Sequence, residues 1–317
     1  MSELIHLSVL AEESPQALIH RRDGIYVDGT FGRGGHTRRI LAQLSAQARL
    51  IAFDRDVAAI EEAKKIQDPR FRIVHEPFSR MEEVLHAKGI TQVDGIFLDI
   101  GVSSPQIDDA SRGFSFRFDG PLDMRMDTTR GITAAQWLQR ASQARITRVI
   151  RDYGEERFAS AIARKIVQTR ESHPLTTTRA LADLVASVVP RNKKDMQQHP
   201  ATRTFQAIRI EVNQELEELR QALRSAVRLL KPRGHLAVIS FHSLEDRIVK
   251  RFFERMAHPE RDIDPRLPMR QEDLPKPVFM DVQRIKPSQQ ECRVNPRARS
   301  AILRVGVRTS YPWAKRD

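Results

Sequence analysis

Four short apolar runs recur along the first third of the 317-residue chain at almost constant intervals. They start 23, 23 and 22 residues apart: Ile25–Phe31, Ala48–Asp54, Phe71–Phe78 and Val93–Ile100. Each interval has room for a crossover helix, as in residues 57–66, where Val57, Ile60 and Lys64 follow helical spacing. Parallel strands need such crossovers, so the runs predict βαβ units and a parallel sheet that is covered on both faces.

A glycine-rich segment follows the first run, Asp28-Gly-Thr-Phe-Gly-Arg-Gly-Gly-His36, and a helix-like segment begins at Thr37. Glycine lets the backbone take positive φ and approach a ligand, and the free N–H groups of a helix start attract an anionic group. Ligands of open α/β sheets bind at the carboxyl ends of the strands. We therefore expect one ligand site at that edge, formed by the glycines together with Asp54, Pro77-Phe78 and Asp99.

The residues at this edge distinguish between cofactors. A nicotinamide fingerprint needs a third glycine where Thr37 stands, and a phosphate-binding P-loop needs Gly-Lys-Ser/Thr, whereas Gly34 is followed by Gly-His. An acid at the end of each of the first two strands, Asp28 and Asp54, is instead typical of S-adenosylmethionine enzymes. The Asp54 carboxylate can accept both ribose hydroxyls, and Phe78 can lie against the adenine. A helix cap and a core position are the structural alternatives for Asp54 and Phe78, but their joint placement favours cofactor binding.

The charge of the chain indicates a polyanionic partner. Lys and Arg total 53 against 41 Asp and Glu, a net charge of +12 with a pI of about 10.3. Nucleic acid is the commonest such partner, and a basic protein with solvated charged helices is the alternative. Residues 284–317 carry nine Lys or Arg and only two acids, which favours phosphate contacts by Arg297 and Arg299.

The cysteine and histidine content limits the kinds of site. Cys292 is the single cysteine, which excludes an internal disulfide and a cysteine-ligated metal cluster and suits a reducing cytoplasm. His6, His36 and His199 lack metal-ligand spacing, so we expect no metal. We also expect a cytoplasmic protein without a secretory signal or a membrane partner, because the chain has neither a membrane-length apolar run nor a basic segment ahead of an apolar one. Homo-oligomerisation is left open.

The regular strand spacing stops after Asp99. A polar loop at residues 103–127 is followed by helical patterns with charged faces: Ala134–Ala144, Ala144–Tyr153, Glu155–Arg170 and Thr178–Val189. This block is an insertion, because core-like strand and helix patterns resume beyond it. We predict an α/β core in two parts, residues 1–108 and 206–317, around an inserted helical domain at residues 109–205, whose expected role is substrate recognition.

The second part of the core opens with a helix pattern over Arg203–Leu230, whose acids come early and bases late, as the helix dipole favours. A fifth core strand is predicted at His235–Phe241, its helix at Ser243–Met256 and a last strand at Ala301–Val307. Residues 257–290, rich in proline and charge, predict a surface excursion.

Eight ordered segments resemble motifs of one bacterial protein family, RsmH (MraW). The segments are Asp28–His36, Leu98–Gln106, Arg112–Phe116, Gly120–Asp127, Tyr153–Phe158, His199–Gln206, Ser240–Lys250 and Asn295–Ser300. The likeness runs from His6 to about Val307, and residues from about 259 to 290 match least.

The resemblance implies a Rossmann-like class I S-adenosylmethionine methyltransferase sheet with an inserted helical domain. It also implies N4-methylation of a cytidine in the decoding centre of 16S ribosomal RNA, within the small ribosomal subunit. The family's cofactor contacts correspond to Gly34, Gly35, His36, Asp54, Phe78, Asp99 and Gln106.

An exocyclic amine is a weak nucleophile because its lone pair is delocalised into the ring, so it needs an acceptor for its N–H and a well-placed methyl donor. Asp99 is the candidate catalytic acceptor. The segment Ser103–Gln106 lacks the second proline and the aromatic residue of many amino-directed methyltransferases, so cofactor contact is the favoured role of Asp99. Methylation at cytosine C5 would need a thiolate, and the place of Cys292 in a basic tail disfavours it.

Three further candidates for substrate contact have structural alternatives. His242 can reach the target base or cap the following helix. His199 and Arg203 can contact RNA or only stabilise the junction between the insertion and the core. Two other functional classes also stay open. One is a methyltransferase of the same fold that acts on DNA or protein, and the other is a noncatalytic nucleic-acid-binding module, which the cofactor edge disfavours.

Overall fold

The computed structural model describes residues 8–190, 199–264, 266, 270 and 272–313. The chain divides into a sheet unit, residues 1–101 with 216–317, and a helical unit, residues 102–215. These boundaries differ from the predicted 108/109 and 205/206. The second differs because Phe205, Ala207 and Ile208 pack into the apolar core of the helical unit. Substrate recognition by this unit stays a prediction.

The sheet unit contains seven strands in the order β3-β2-β1-β4-β5-β7-β6. Strands β1 to β5 are parallel, whereas β7 pairs antiparallel with β5 and β6 antiparallel with β7. With helices on both faces, this strand order is that of a Rossmann-like α/β sheet, so the predicted α/β fold class is confirmed. The strands are β1 Ile25–Asp28, β2 Arg49–Asp54, β3 Phe71–His75, β4 Val93–Asp99, β5 Leu230–Ser240, β6 Phe279–Ile285 and β7 Ile302–Arg308.

Helices cover both faces of this sheet, as the apolar runs predicted. Tyr26 and Val27 are neighbours in β1, both fully buried, and they belong to two different apolar clusters. Successive side chains of a strand point to opposite faces, so each face has its own core. The helices of the unit are α1 Glu13–Leu18, α2 Gly35–Gln43, α3 Val57–Ala63, α4 Met81–Ala87, α11 Glu215–Leu229, α12 Ser243–Ala257 and α13 Gln289–Val294.

The helical unit has a core of its own, in which Ile146, Ile162 and Leu181 are fully buried. The first two predicted insertion helices have a different boundary, because the Ser142 hydroxyl caps a new helix by accepting from the Arg145 N–H at 3.3 Å. Residues 191–198 of the predicted insertion lie outside the described residues. The helices are α5 Ser104–Asp108, α6 Ala134–Arg140, α7 Gln143–Gly154, α8 Ala159–Arg170, α9 Thr178–Val188 and α10 Thr202–Asn213.

The helix predicted over Arg203–Leu230 is two helices, α10 and α11. Gln214 separates them with φ of +52°, a left-handed conformation that ends a helix. Next to it, the Asn213 side chain accepts from the Met126 N–H and donates to the Met124 carbonyl, both within the helical unit. The apolar spacing continues through this break, so periodicity alone could not reveal it.

Strand β6 corrects the prediction of a surface excursion over residues 257–290. It lies at the edge of the sheet, and Phe279, with no exposed surface, is its single fully buried residue. Phe279 makes edge-to-face contacts with Phe252 and Phe253 of α12. Edge strands tolerate polar and charged side chains, and this one lacks the apolar alternation that identifies a half-buried strand.

Within the described part of the chain, no helix combines the length and the apolar composition that crossing a membrane requires.

The anchoring of β6 by Phe279 can be tested by cavity formation. We expect Phe279→Ala to lower the free energy of unfolding by about 3 kcal/mol or more, because it removes a fully buried ring. Val282→Ala, on the same strand but 39% exposed, is the matched control and should cost less than about 1 kcal/mol. Urea unfolding measures both, and equal losses would contradict the role of Phe279.

Candidate cofactor site at the strand edge

The carboxyl ends of β1, β2 and β4 lie side by side, because β1 pairs with both of the other strands. Asp28 is opposite Ala52 of β2 and Phe97 of β4. Asp54 and Asp99 each lie two residues further along their strands, so they flank the loop that leaves β1. The strand order reverses between β1 and β4, and this is the kind of edge where open α/β sheets bind ligands.

Asp28 organises the loop rather than facing solvent. Its side chain is fully buried, and it accepts from the Thr30 N–H at 3.0 Å and from the Thr37 hydroxyl at 2.6 Å. Burial raises the pKa of Asp28 above its ordinary value, and the two hydrogen bonds oppose that shift. The carboxyl group thus joins the end of β1 to the first turn of α2.

Two of the predicted glycines have structural reasons to be glycine. Gly34 precedes α2 with φ of +74°, a conformation that side chains rarely adopt. A Cβ on Gly35 would lie 2.0 Å from the Ser8 hydroxyl oxygen, so the backbone of Gly35 is in close contact with the N-terminal segment. These contacts fix the path of the loop and the start of α2 beside Asp54 and Asp99.

Asp54 ends β2 and is held by backbone donors. Its Oδ2 accepts from the Gly32 N–H and its Oδ1 from the Asp56 N–H, both at 2.8 Å. Burial raises the pKa of Asp54 to about 6, although these hydrogen bonds favour the ionised form. Each carboxylate oxygen has a second lone pair, so the side chain can still accept from hydroxyl groups of a ligand.

His36 and Asp99 hold the least satisfied polar atoms of the edge. His36 Nε2 lies 3.4 Å from Asp99 Oδ2, and the His36 ring packs on Phe97 with centroids 4.6 Å apart. Within the part of the chain that the structure describes, both ring nitrogens of His36 and Oδ1 of Asp99 are buried without a hydrogen-bond partner. Unpaired buried polar atoms cost free energy, so a polar ligand fits here.

Phe78 differs in position from the prediction. Strand β3 ends at His75, and Phe78 begins a 3₁₀ turn over Phe78–Arg80. Its half-buried side chain packs against an apolar cluster of the sheet unit, and its Cβ would lie 3.0 Å from a Cβ on Gly29. Phe78 therefore lies beside the glycine loop and also contributes to the core.

Gln106 belongs to the helical unit, where it is buried in α5. Its side-chain oxygen accepts from the Ser103 N–H at 2.9 Å in a capping box. This contact gives Gln106 a structural role, and its contact with a cofactor stays a prediction.

His242 immediately precedes α12, at the position where the sequence analysis allowed it to cap that helix. Its Nε2 lies 3.0 Å from Oε1 of Glu245, and Glu245 Oε2 accepts from the Phe241 N–H at 2.9 Å. The same Oε2 accepts from the His242 N–H at 3.4 Å, so Glu245 and His242 form a capping box at the start of α12. The His242 side chain is 14% exposed.

The other RNA candidates fall in both units. In the helical unit, His199 is exposed and its ring packs at a tilt against Phe116 with centroids 4.5 Å apart. The exposed Arg203 lies on α10. In the sheet unit, Arg297 and Arg299 follow α13, and Arg299 is exposed with Nε 3.4 Å from the Cys292 carbonyl. His6 lies outside the described residues. RNA contact by His199, Arg203, Arg297 and Arg299 stays a prediction.

Thr30 is a site residue that the sequence analysis missed. Its hydroxyl accepts from the Asp99 N–H at 2.6 Å, while its own N–H donates to Asp28. Thr30 therefore links the glycine loop to the end of β4. The sequence does show a threonine hydroxyl inside a glycine-rich turn. It does not show the hydrogen-bond partner of that hydroxyl, because the partner lies in β4, far away in sequence.

The Asp54 carboxylate gives a testable cofactor contact. We expect Asp54→Ala to weaken S-adenosylmethionine binding by about 1.5–3 kcal/mol, the usual contribution of a hydrogen bond to a charged group. Asp23→Ala is the matched control, because Asp23 is exposed and precedes β1 at the other end of the strand. Calorimetry measures both, and equal affinities in the two variants would remove Asp54 from the site.

The same carboxylate should make cofactor binding depend on pH. Only the ionised form accepts two hydroxyls, so affinity should fall as the pH decreases through about 6, by up to about tenfold per unit, and stay constant above that range. Asp54→Asn should bind weakly and without this dependence. A pH profile that persists in Asp54→Asn would assign it to another group.

Comparison with known proteins identifies the family of the chain. The model of the MraW methylase family matches residues 3–309. "Ribosomal RNA small subunit methyltransferase H" of Cupriavidus pinatubonensis is 58% identical over 309 residues, which cover 95% of this chain and 92% of that protein. The protein of the same name from Ralstonia pickettii is 57% identical over 312 residues, 96% and 97% of the two chains. The predicted resemblance is thus confirmed: the chain belongs to the MraW methylase family and is an S-adenosylmethionine-dependent methyltransferase.

Proposed function

We propose that the chain methylates the exocyclic N4 amine of a cytidine in the decoding centre of 16S ribosomal RNA. The name shared by its relatives supports small-subunit ribosomal RNA as the substrate class, since the identity of 57–58% extends over nearly the whole chain. The structural observation that carries the proposal is the strand edge, where Asp54 is ready to accept hydroxyls and His36 and Asp99 have unpaired polar atoms among the described residues. A substrate in the small ribosomal subunit implies a reaction in the cytoplasm.

Cofactor binding is assigned to groups at this edge. When bound, S-adenosylmethionine supplies a methyl group on a positively charged sulfur. Asp54 would accept the ribose hydroxyls, and Phe78 would lie against the adenine. His36 would bond through its ring nitrogens, which have no hydrogen-bond partner among the described residues. Gly34 and Gly35 would provide the close backbone approach. Gln106 is included on the family resemblance.

Direct transfer to an amine needs alignment of donor and acceptor more than covalent chemistry. Asp99 is the candidate acceptor for the amine N–H, because its side chain is 25% exposed at the end of β4 and its Oδ1 is unpaired among the described residues. Cofactor contact remains the favoured role of Asp99. Neither role requires an enzyme nucleophile.

The surroundings of Cys292 argue against methylation at cytosine C5, which proceeds through a thiolate adduct. Cys292 is half-buried on α13 and packs against an apolar cluster of the sheet unit. In the described part of the chain its sulfur has no hydrogen-bonded base that would activate it. These features support direct N4 transfer.

RNA binding is assigned to the candidates His199, Arg203, His242, Arg297 and Arg299. Arg203 and Arg299 are exposed, so their guanidinium groups are available to phosphate. His199 presents an aromatic ring held by Phe116, which suits stacking on a base.

The chemistry is tested with labelled cofactor and small ribosomal subunits that lack the modification. We expect the label on the exocyclic nitrogen of one cytidine, and Cys292→Ser should transfer it equally well because no covalent adduct forms. Mass spectrometry of digested RNA identifies the position. A methyl group at C5, or loss of activity in Cys292→Ser, would overturn direct transfer; label on DNA or protein would overturn the substrate.

The RNA role of Arg203 separates substrate binding from cofactor binding. Arg203→Gln should raise the KM for small subunits severalfold and reduce the salt dependence of binding by about one phosphate contact, while S-adenosylmethionine affinity stays unchanged. Arg220→Gln is the matched control, because Arg220 is a half-exposed residue of α11 that lies 3.6 Å from Glu217. Identical kinetics in both variants would exclude Arg203.

A further inference from the structure

A cavity of about 390 Å³ lies at the edge of the sheet opposite the glycine loop. The amino ends of β4 and β5 meet there, since Val93 pairs with Leu230, and the antiparallel β7 ends at the same edge with Arg308. No cofactor or substrate residue described above contributes to it. The lining residues are Gln92, Val227, Arg228, Leu230, Pro232, Arg308, Thr309, Ser310 and Trp313.

Arg308 provides a buried positive charge in the cavity wall. It is 9% exposed, and its Nε donates to the Val227 carbonyl while its Nη1 donates to the carbonyls of Val278, Thr309 and Tyr311. Among the described residues no carboxylate lies within salt-bridge distance, and Nη2 has no hydrogen-bond partner. Burial lowers the pKa of Arg308, as expected for a cation without an anionic neighbour.

The second arginine of the cavity is already neutralised. Arg228 pairs with Glu82 through two hydrogen bonds, and its guanidinium lies 5.6 Å from the ring centroid of Trp313. This contact holds the indole in place as an aromatic wall. The charge that a ligand would meet therefore belongs to Arg308.

Two neutral groups at the rim can add hydrogen bonds. Ser310 and Gln92 are exposed, and neither side chain has a partner in the part of the chain that the structure describes. The Thr309 hydroxyl is engaged with the Pro277 carbonyl at 2.7 Å. Arginine, hydroxyl and amide groups donate hydrogen bonds to phosphate oxygens, and an aromatic ring stacks on a base. The cavity therefore has the chemistry that a phosphate joined to a base requires.

We propose that this cavity binds a nucleoside phosphate, with phosphate oxygens at Arg308 Nη2, Ser310 and Gln92 and the base against Trp313. Its volume is in the range of ordinary small-ligand sites. The ligand is either a free nucleotide or one nucleotide of an RNA strand, which share this chemistry. The site lies on the sheet unit and does not depend on the proposed methylation.

Trp313 provides a local reporter. Trp137 and Trp313 are the two tryptophans of the chain, so Trp137→Phe leaves only Trp313 fluorescence. With S-adenosylhomocysteine saturating the cofactor site, uridine monophosphate should give a saturable change in that fluorescence. Uridine, which lacks the phosphate, should bind at least about tenfold more weakly, because the buried charge of Arg308 recognises the anion.

Ser310→Asp and Ser310→Asn form a matched pair in this background, because their side chains have the same shape and differ in charge. The Asp variant should lose about tenfold or more in affinity for uridine monophosphate through like-charge repulsion, and the Asn variant less than about threefold. Unchanged S-adenosylhomocysteine affinity shows that both variants fold. Equal affinities in the pair, or no fluorescence response at millimolar nucleotide, would overturn the proposal.

An oligouridylate of ten nucleotides without terminal phosphates distinguishes the two sources. If it binds more tightly than uridine monophosphate and remains sensitive to Ser310→Asp, the ligand is an RNA phosphodiester. If the mononucleotide binds more tightly, the ligand is a free nucleotide. Either result supports the site, whether or not the chain methylates cytidine.

Discussion

The buried carboxyl group of Asp28 is the constraint on which the candidate site depends. Removing it from water is costly, and the Thr30 N–H and the Thr37 hydroxyl offset that cost. These two contacts join the end of β1 to both sides of the glycine loop. The Thr30 hydroxyl then accepts from the Asp99 N–H, so β1, the loop and β4 have fixed relative positions. The hydrogen bonds of the Asp28 carboxylate, together with the Thr30 contact to β4, thus determine the path of the loop.

Both carboxylate oxygens of Asp28 accept hydrogen bonds, whereas neighbouring groups of the edge do not have all their partners. His36 and Asp99 have buried polar atoms that find no partner among the described residues, and Asp54 is an acid whose pKa burial raises to about 6. Such groups reduce the stability of the free protein, and natural sequences keep local conflicts of this kind mainly at functional sites. The candidate site therefore combines a rigid support with polar groups that the proposed cofactor would complete, which is the arrangement that precise binding of a methyl donor needs.

The sequence predicted β1 to β5, because buried parallel strands are continuous apolar runs separated by turns. The predicted start of β5 was wrong: the strand begins at Leu230 rather than at His235. It did not predict β6, whose position depends on the contact of Phe279 with two rings of α12. It also merged α10 and α11, because the apolar spacing continues past Gln214 while the side chain of Asn213 bonds to residues far away in sequence. Phe78 was placed at a strand end and is in a 3₁₀ turn.

Local patterns of the chain were sufficient to predict the parallel sheet, the glycine loop, the acids at the strand ends and the family. All of these depend on the order and spacing of neighbouring residues. Contacts between distant segments established what spacing does not encode. These are the link from Thr30 to Asp99, the buried His36 nitrogens that have no hydrogen-bond partner among the described residues, and the boundaries of the helical unit. The same is true of Arg308. In the sequence it is one of several basic residues in the C-terminal segment, but in the fold it is buried. Its guanidinium donates to carbonyl groups, and no acid among the described residues pairs with it.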